Sequence, residues 1–270
     1  MILYCAHQLS FRLFVFMMFS SPVIIYADAK QRPAIASAIE TTVVPQMVDG
    51  GLVKSILIIT NSDITTTAIY HVSFYGNDGQ SLKYSIQGIG STDHLDGTLA
   101  PGASVFLATS GTATIQQQGW ATTDSRTSTS VAISQILQVK DPLTGKFDAE
   151  ALIQGTRSFF TGSLVMPFDN TNGNVSSVAV ANTSALDQDM VNVTAVDQNG
   201  NTLVTDTISI GANQHTSFIL AERWVALRNA QGTLVVTPST VFATVSLMGL
   251  RFASLQNGFT VTTLPVIQQY

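Results

Sequence analysis

Short runs of alternating apolar and polar residues recur along the chain and predict β-strands. Between Tyr70 and Phe74, the residues Tyr70, Val72 and Phe74 are apolar, whereas His71 and Ser73 are polar. Successive side chains of a strand point to opposite faces, so the apolar set is expected in a core and the polar set toward water. Gly, Asn, Asp and Pro separate these runs, and long helical periodicity is missing. The pattern therefore predicts an all-β protein.

The pattern also repeats along the chain. Residues Leu57–Leu82 align without gaps with Val178–Leu203, which places Asn61 on Asn182, an offset of 121 residues. Identity is low, but the apolar alternation is retained. Weaker matches extend the repeat on both sides, and they pair residues 43–51 with 165–173, 110–115 with 231–236, and 130–139 with 240–252. An internal repeat of this kind predicts two structural copies.

Each copy has some seven strand-like runs in about 110 residues, a size that suits an immunoglobulin-like fold. The prediction is two tandem immunoglobulin-like antiparallel β-sandwich domains, at residues 41–160 and 161–270. A single closed barrel is the alternative, and the repeat disfavours it. Leu220, Trp224 and Leu227 have helical spacing, with Gly232 beyond them, and predict one short helix in the second domain.

The segment Asn77-Asp78-Gly79 has two readings, a calcium loop or the tip of a β-hairpin. Its counterpart in the second copy ends in Asn199-Gly200, so the glycine is repeated and the Asp is not. Asn and Asp both tolerate positive φ before Gly in a tight hairpin turn, but they do not share a charge. The repeat therefore favours the hairpin.

The first 29 residues differ from the rest. An apolar run, Leu13–Tyr26, is short for a membrane span and is followed by the small-x-small sequence Ala27-Asp28-Ala29. This predicts a secretory signal peptide over residues 1–29, with a retained membrane anchor as the alternative. Residues 30–40 read as a linker. Cys5 is the one cysteine, so the predicted mature chain has neither a disulfide nor a thiol nucleophile.

The composition limits the classes of partner that the protein is expected to bind. Charged residues make up 11% of the chain and the net charge is -5, with Lys and Arg scattered. Nucleic-acid binding needs clustered basic residues, so nucleic acid is not expected as a partner. After signal cleavage no integral membrane span is expected. The predicted location is outside the cell or on its surface, with the periplasm as a further possibility.

The order of the turn and strand motifs also resembles a known module. The motifs are "ITNSD" and "ANTSA", "LAPGAS", "GWATT" and "GFTVTTLPVI", within residues 43–267. In this order they resemble a tandem module of uncharacterised secreted bacterial proteins, of the kind found in Acidobacteria. The resemblance implies a β-sandwich and export. It implies no activity and no catalytic residues.

The histidines of the predicted mature chain give no catalytic pattern. His71 and His215 are expected to point outward from strands, and His94 lies in a polar loop between Asp93 and Asp96. A Ser–His–Asp site also needs a nucleophile beside the histidine, and no Gly-x-Ser-x-Gly turn accompanies these residues. Zinc ligands at close spacing and paired glutamates of a glycosidase are missing as well. No catalytic residue and no cofactor are predicted.

Two further candidates concern binding. Asp169 and Thr171, in a loop of Asp, Asn, Thr and Gly, supply oxygen atoms that could hold calcium, although turn formation explains the same residues. Trp120 and Trp224 could stack on sugar rings if they are exposed, whereas core packing is the alternative for both.

The sequence therefore predicts a secreted, non-enzymatic protein with a structural or adhesive role, which binds protein or polysaccharide. A different class is the alternative: an accessory domain protein of an extracellular hydrolase, or a weak metal-dependent hydrolase. A third possibility is a subunit that polymerises by strand exchange through its edge strands.

Overall fold

The computed structural model describes residues 41–125, 131–141, 145–157, 162–239, 244–255 and 258–269. The predicted signal peptide and linker lie outside the described residues, as does the predicted domain boundary at residues 160 and 161. The chain from Ala36 to Tyr270 forms one compact unit. Most of the described residues lie in strands and the one helical segment is short, so the all-β prediction is confirmed. Among these residues, no helix is long and apolar enough to cross a membrane.

Among its described residues, the first copy contains eleven strands, of which four have fewer than six residues. They are β1 (Thr41–Gly50), β2 (Val53–Asn61), β3 (Ala68–Gly76), β4 (Tyr84–Ile86), β5 (Gly90–Thr92), β6 (His94–Leu99), β7 (Ser104–Ala108), β8 (Gln117–Ser125), β9 (Val131–Lys140), β10 (Phe147–Gln154) and β11 (Thr156–Arg157).

The second copy contains nine strands and the helical segment. The strands are β12 (Ser163–Asp169), β13 (Val175–Asn182), β14 (Asp189–Asp197), β15 (Thr202–Ile210), β16 (His215–Ile219), β17 (Gln231–Pro238), β18 (Val245–Leu255), β19 (Gly258–Leu264) and β20 (Ile267–Gln269). Helix α1 (Leu220–Arg223) continues into a 3₁₀ turn at Val225–Leu227, shorter than the pattern predicts.

The two copies share one strand topology. The second copy has a five-stranded sheet, β15-β14-β17-β12-β20, that faces a four-stranded sheet, β16-β13-β18-β19. The first copy has the matching orders β6-β3-β8-β1-β11 and β7-β2-β9-β10. There, a short β1–β2 pairing at Asp49–Lys54 and Gly50–Val53 joins both into one nine-stranded sheet. In the second copy, apolar side chains of both sheets form a common core, which is the arrangement of a β-sandwich.

A pair of buried asparagines confirms the aligned part of the repeat at atomic detail. Asn61 and Asn182 are both fully buried at the ends of equivalent strands. In each copy the side-chain amide nitrogen donates to three backbone carbonyls at equivalent places: those of Thr66, Leu99 and Ala100 for Asn61, and those of Asp187, Ile210 and Gly211 for Asn182. The amides close the turns at the same end of each copy.

One of the weaker sequence matches is wrong. Strand β17 is the counterpart of β8 rather than of residues 110–115, because Gly119 and Gly232 occupy the same position. A Cβ at Gly119 would lie 1.9 Å from Tyr75 O, and a Cβ at Gly232 would lie 1.9 Å from Val196 O. Only glycine permits this close approach of two strands. The sequence alignment matched the dipeptide Gly-Thr, which both segments contain.

The copies pack on each other through the outer face of β13, β18 and β19. Ala179, Met248, Leu250 and Val261 of the second copy belong to the same buried cluster as the core of the first. Their neighbours Val178 and Leu247 point the other way, into the second core. Strands β13 and β18 are therefore buried on both faces, which explains their nearly continuous burial.

Candidate functional site

A polar stripe runs along the outer face of β3. His71, Ser73 and Tyr75 are half-buried on this face, while Val72 and Phe74 between them are buried in the core. This is the alternation that the sequence predicts. Residues two apart on a strand point the same way, so the imidazole, the hydroxyl and the phenol form one row on one surface.

The neighbouring strand β6 places two more polar side chains beside this row. In the register of the β3–β6 pair, Asp96 lies directly opposite His71, and His94 lies directly opposite Ser73. His71 Nδ1 is 2.7 Å from Asp96 Oδ1, and His71 Nε2 is 3.0 Å from Ser73 Oγ. A carboxylate only accepts hydrogen bonds, so in the neutral ring Nδ1 carries the proton and Nε2 accepts from the Ser73 hydroxyl.

A second set of the same residue types lies next to the first. His94 Nδ1 is 2.8 Å from Asp93 Oδ1, and the hydroxyl of Ser81 donates to Asp93 Oδ2 at 3.0 Å. The hydrogen bond from His94 is the main cause that lowers the pKa of Asp93, and the bond from Ser81 adds to it. The rings of His71 and His94 stack with centroids 5.8 Å apart.

These side chains surround a shallow depression of about 340 Å³. It is lined by two serines, two histidines, two aspartates and two aromatic residues: Ser73, Ser81, His71, His94, Asp93, Asp96, Phe74 and Tyr75. The side chain of Asp96 is 58% exposed and that of His94 is 56% exposed, so the polar groups are accessible to a ligand. Tyr75 stacks on Trp120 with centroids 4.7 Å apart, which fixes its ring.

The second copy has no charge at the same place. The counterparts of His71 and Ser73 are Asn192 and Thr194, and the residues opposite them on β15 are Thr207 and Thr205. A neutral hydrogen bond from Thr207 to Asn192, 3.1 Å long, replaces the His–Asp pair. The same sheet therefore forms with neutral residues, and the His, Asp and Ser set of the first copy is not needed for the fold.

Comparison with family models, curated proteins and solved structures found no match. The site is therefore interpreted from its own geometry. Its groups can donate and accept hydrogen bonds and can move a proton between Ser73 and His71. Within the part of the chain that the structure describes, no three His, Cys, Asp or Glu side chains are placed to hold a metal ion.

A second cavity, of about 450 Å³, lies between the two copies. Its walls include Val48, Leu137, Met248 and Leu250, which also belong to the core cluster that both copies share. Packing of the copies accounts for these residues. The depression on β3 differs because its polar lining groups, the His, Asp and Ser side chains, belong to no core cluster, which makes it the candidate site.

Trp120 is not available to a ligand in this structure. Its side chain is 1% exposed, and the ring packs against Tyr75 and against Val43 and Ala181. Its indole N–H donates to the backbone carbonyl of Asn213, in the other copy, at 2.8 Å. A buried ring cannot stack on a sugar from solvent, so its position corrects the sugar-stacking prediction: Trp120 links the two copies.

Trp224 is half-buried in the second copy, at the end of α1. Its indole N–H donates to Asp206 Oδ2 at 2.9 Å, and its ring meets Phe218 edge to face. The guanidinium of Arg223 lies over both rings. The partly exposed ring leaves sugar stacking at Trp224 as a prediction, on a surface separate from the depression on β3.

Asp169 forms a turn with Thr171 and an ion pair with Arg251. The backbone N–H and the hydroxyl of Thr171 both donate to Asp169 Oδ1, while Asn174 and Arg251 donate to Oδ2. Burial alone would raise the pKa of Asp169, but these hydrogen bonds and the Arg251 guanidinium lower it. Arg251 supplies a positive charge beside Asp169, which favours turn formation over calcium binding at Asp169 and Thr171.

His215 is buried, contrary to the prediction that it points to water. It is 4% exposed, with Nδ1 2.7 Å from Asn77 Oδ1 and Nε2 2.9 Å from Gln46 Oε1. The alternation correctly places it on the outer face of β16, but the first copy covers that face. His215 is therefore a residue of the interface between the two copies and is not part of the depression around His71 and His94.

Asp96 is the site residue that the sequence analysis misplaced. The sequence predicts a loop that contains His94 and Asp96, whereas both residues lie in β6 and Asp96 is opposite His71. The register depends on how β6 returns to β3 after the intervening β4–β5 hairpin. No local pattern encodes that return.

Proposed function

We propose that the protein is a secreted, non-enzymatic structural or adhesive protein that binds polysaccharide through the depression on β3. One observation carries this proposal: the first copy has an exposed set of His, Asp and Ser side chains where the second copy has neutral residues. Groups that the fold does not require, gathered in one accessible depression, are best explained by a ligand.

The chemistry of the depression favours a hydroxyl-rich ligand. The carboxylates of Asp93 and Asp96 accept hydrogen bonds, and the imidazoles and serine hydroxyls both donate and accept. Tyr75 adds an aromatic wall that is already held in place by Trp120, so little side-chain freedom is lost on binding. A saccharide presents both hydroxyls and apolar ring faces, which matches this lining.

Secretion is supported by the sequence. The apolar run before Ala27-Asp28-Ala29 is typical of a signal peptide, and a chain without cysteine after residue 29 needs no disulfide for its stability. Detection of a mature N-terminus at Lys30 in the culture medium or at the cell surface would test this part of the proposal.

The binding proposal is tested with a panel of immobilised polysaccharides and a parallel panel of extracellular proteins. We expect binding to polysaccharide, weakened at least tenfold by Asp93→Asn, where tenfold corresponds to about 1.4 kcal/mol. Glu222→Gln is the matched control, because it removes an exposed carboxylate elsewhere and is expected to leave binding unchanged. Binding to a protein alone, or equal loss in both variants, would contradict the proposal.

A hydrolase is the second candidate, and a specific observation favours it. Ser73, His71 and Asp96 are hydrogen-bonded in the order of a Ser–His–Asp triad. This candidate needs no metal, unlike the metal-dependent hydrolase considered from the sequence. Turnover of an ester by the unmodified protein is the measurement that would favour it.

A further inference from the structure

We propose that Ser73 is an activated nucleophile that accepts an acyl group from an ester, with His71 as its base and Asp96 as the residue that positions His71. This develops the hydrolase candidate rather than the non-enzymatic binding role, and it does not rest on that role. The inference stands on the geometry of three side chains brought together from two strands.

The atoms are in the order that the reaction requires. Asp96 Oδ1 accepts from His71 Nδ1 at 2.7 Å, which leaves Nε2 free to accept, and Ser73 Oγ lies 3.0 Å from that nitrogen. A base within hydrogen-bond distance of the nucleophile, and itself oriented by a third group, is the general arrangement of an activated hydroxyl. A serine without a histidine and a carboxylate in this order beside it would not be activated in this way.

The rigidity of the sheet supports the arrangement. His71 and Ser73 are two residues apart on one strand, and Asp96 is fixed opposite His71 by the β3–β6 ladder. Strand β8 pairs with the other edge of β3, with Asp124 opposite His71 and Thr122 opposite Ser73. The hydroxyl of Thr41 donates to Asp124 at 2.5 Å, so that carboxylate already has a partner. Asp96, whose Oδ1 lies 2.7 Å from His71 Nδ1, is the carboxylate that orients His71.

The reaction needs no cofactor. Ser73 Oγ forms a bond to the carbonyl carbon of the ester while its proton passes to His71 Nε2. The bond between that carbon and the leaving oxygen then breaks, and the leaving group takes the proton from His71. Water attack on the acyl-serine, with His71 again as the base, would release the acid and restore the Ser73 hydroxyl. No group is oxidised or reduced.

Esters with good leaving groups fit this site best, because the depression is shallow and open. The probe is p-nitrophenyl acetate, added to the intact folded protein, with release of nitrophenolate followed by absorbance. Peptide mass spectrometry of the same sample identifies the residue that carries acetyl. We expect acetyl on Ser73 and release of nitrophenolate that equals or exceeds the amount of protein.

Variants assign the roles. Ser73→Ala is expected to abolish the protein-dependent release, and His71→Ala to slow it about 100-fold, with partial recovery in added imidazole. Asp96→Asn is expected to slow it as well, and Asp96→Glu to restore part of the rate, which a purely structural role would not explain. Ser104→Ala is the matched control, because the hydroxyl of Ser104 bonds to that of Thr60, outside the depression.

Acetyl retained on Ser73, or release of nitrophenolate that exceeds the amount of protein and falls in these variants as expected, supports the proposal. Acetylation spread over lysines, or release that persists in Ser73→Ala, overturns it. The mass measurement on the unmodified protein decides the question even if a variant fails to fold. Polysaccharide binding measured on Ser73→Ala shows separately whether the binding role holds.

Discussion

His215 Nδ1 lies 2.7 Å from Asn77 Oδ1, although the two residues belong to different copies of the repeat. Gln46 of the first copy faces the other ring nitrogen at 2.9 Å. Burial lowers the pKa of His215 from 6.5 to about 4, and a hydrogen bond to the Pro45 backbone opposes this only in part. A neutral ring accepts through one nitrogen, so one of the two amides turns its NH₂ group toward it.

Acid is expected to weaken the protein through this histidine. Its pKa is lower in the folded state, so between pH 6.5 and about 4 the unfolded chain binds more protons, and stability falls as the pH falls through this window. At about pH 5 the cost from this one group is about 2 kcal/mol. Urea unfolding of His215→Gln should show a smaller loss from neutral pH to about pH 5 than the unmodified protein. His94→Gln serves as the control variant. An equally large loss of stability in His215→Gln and in the unmodified protein would contradict this prediction.

Trp120 is expected to be a major contributor to stability. Trp120→Ala removes a buried indole that contacts both copies, and the free energy of unfolding should fall by about 3 kcal/mol or more. Thr233 occupies the equivalent position in the second copy and is half-buried, so Thr233→Ala should cost less than about 1 kcal/mol. Denaturant unfolding of the two variants measures the difference, and equal effects would argue against the linking role of Trp120.

Trp120 and His215 show which part of the packing the sequence could predict. Alternation at a period of two correctly placed His215 on the outer face of its strand, because that signal is local to each sheet. It could not show that the two outer faces cover each other. That contact depends on how one copy lies on the other, and residues far apart in the chain decide it, such as Asn77 and Asn213.

Asp189 is expected to be a destabilising residue at neutral pH. It is 2% exposed, and neither carboxylate oxygen accepts a hydrogen bond from the described residues. Burial raises its pKa, and the nearby backbone of Met190 and Ser239 offsets this only in part. Because the folded state holds the proton more firmly, stability falls as the pH rises above the ordinary pKa of 3.8.

The equivalent residue of the first copy indicates which substitution to make at Asp189. Its counterpart is Ala68, which is fully buried. Asp189→Ala should therefore raise the free energy of unfolding at neutral pH, by roughly 1 kcal/mol or more, because an unsatisfied buried polar group is removed. Thermal unfolding at about pH 4 and about pH 7 checks this, since the gain should shrink at the lower pH. A lower melting temperature of the variant at neutral pH would contradict the prediction.

Calcium removal is expected to leave the melting temperature unchanged. The carboxylate of Asp169 accepts hydrogen bonds from Thr171 and from Arg251, so this turn has its partners without an ion. Arg251→Met should cost less than about 1 kcal/mol, because the ion pair with Asp169 is partly exposed. Melting curves with and without a chelator test both statements, and a chelator-dependent decrease would restore the calcium hypothesis.

The candidate site could be predicted only in part. The sequence placed His71 and Ser73 together on an outward face, since two residues on one strand share a face. It did not bring Asp96 to His71, because strand register between β3 and β6 is set by the whole intervening segment. The neutral counterparts Asn192 and Thr194 were visible in the alignment, and they are the signal that could have singled out this position.

The hairpin tips of the two copies differ in their surroundings. A Cβ at Gly79 would lie 2.5 Å from Ala212 O, in the second copy, whereas Gly200 has open space around it. Both glycines have positive φ, near 80°. An affinity tag or a foreign peptide epitope inserted beside Gly200 would thus extend freely into solvent. The same insertion beside Gly79 would push apart the two halves of the molecule.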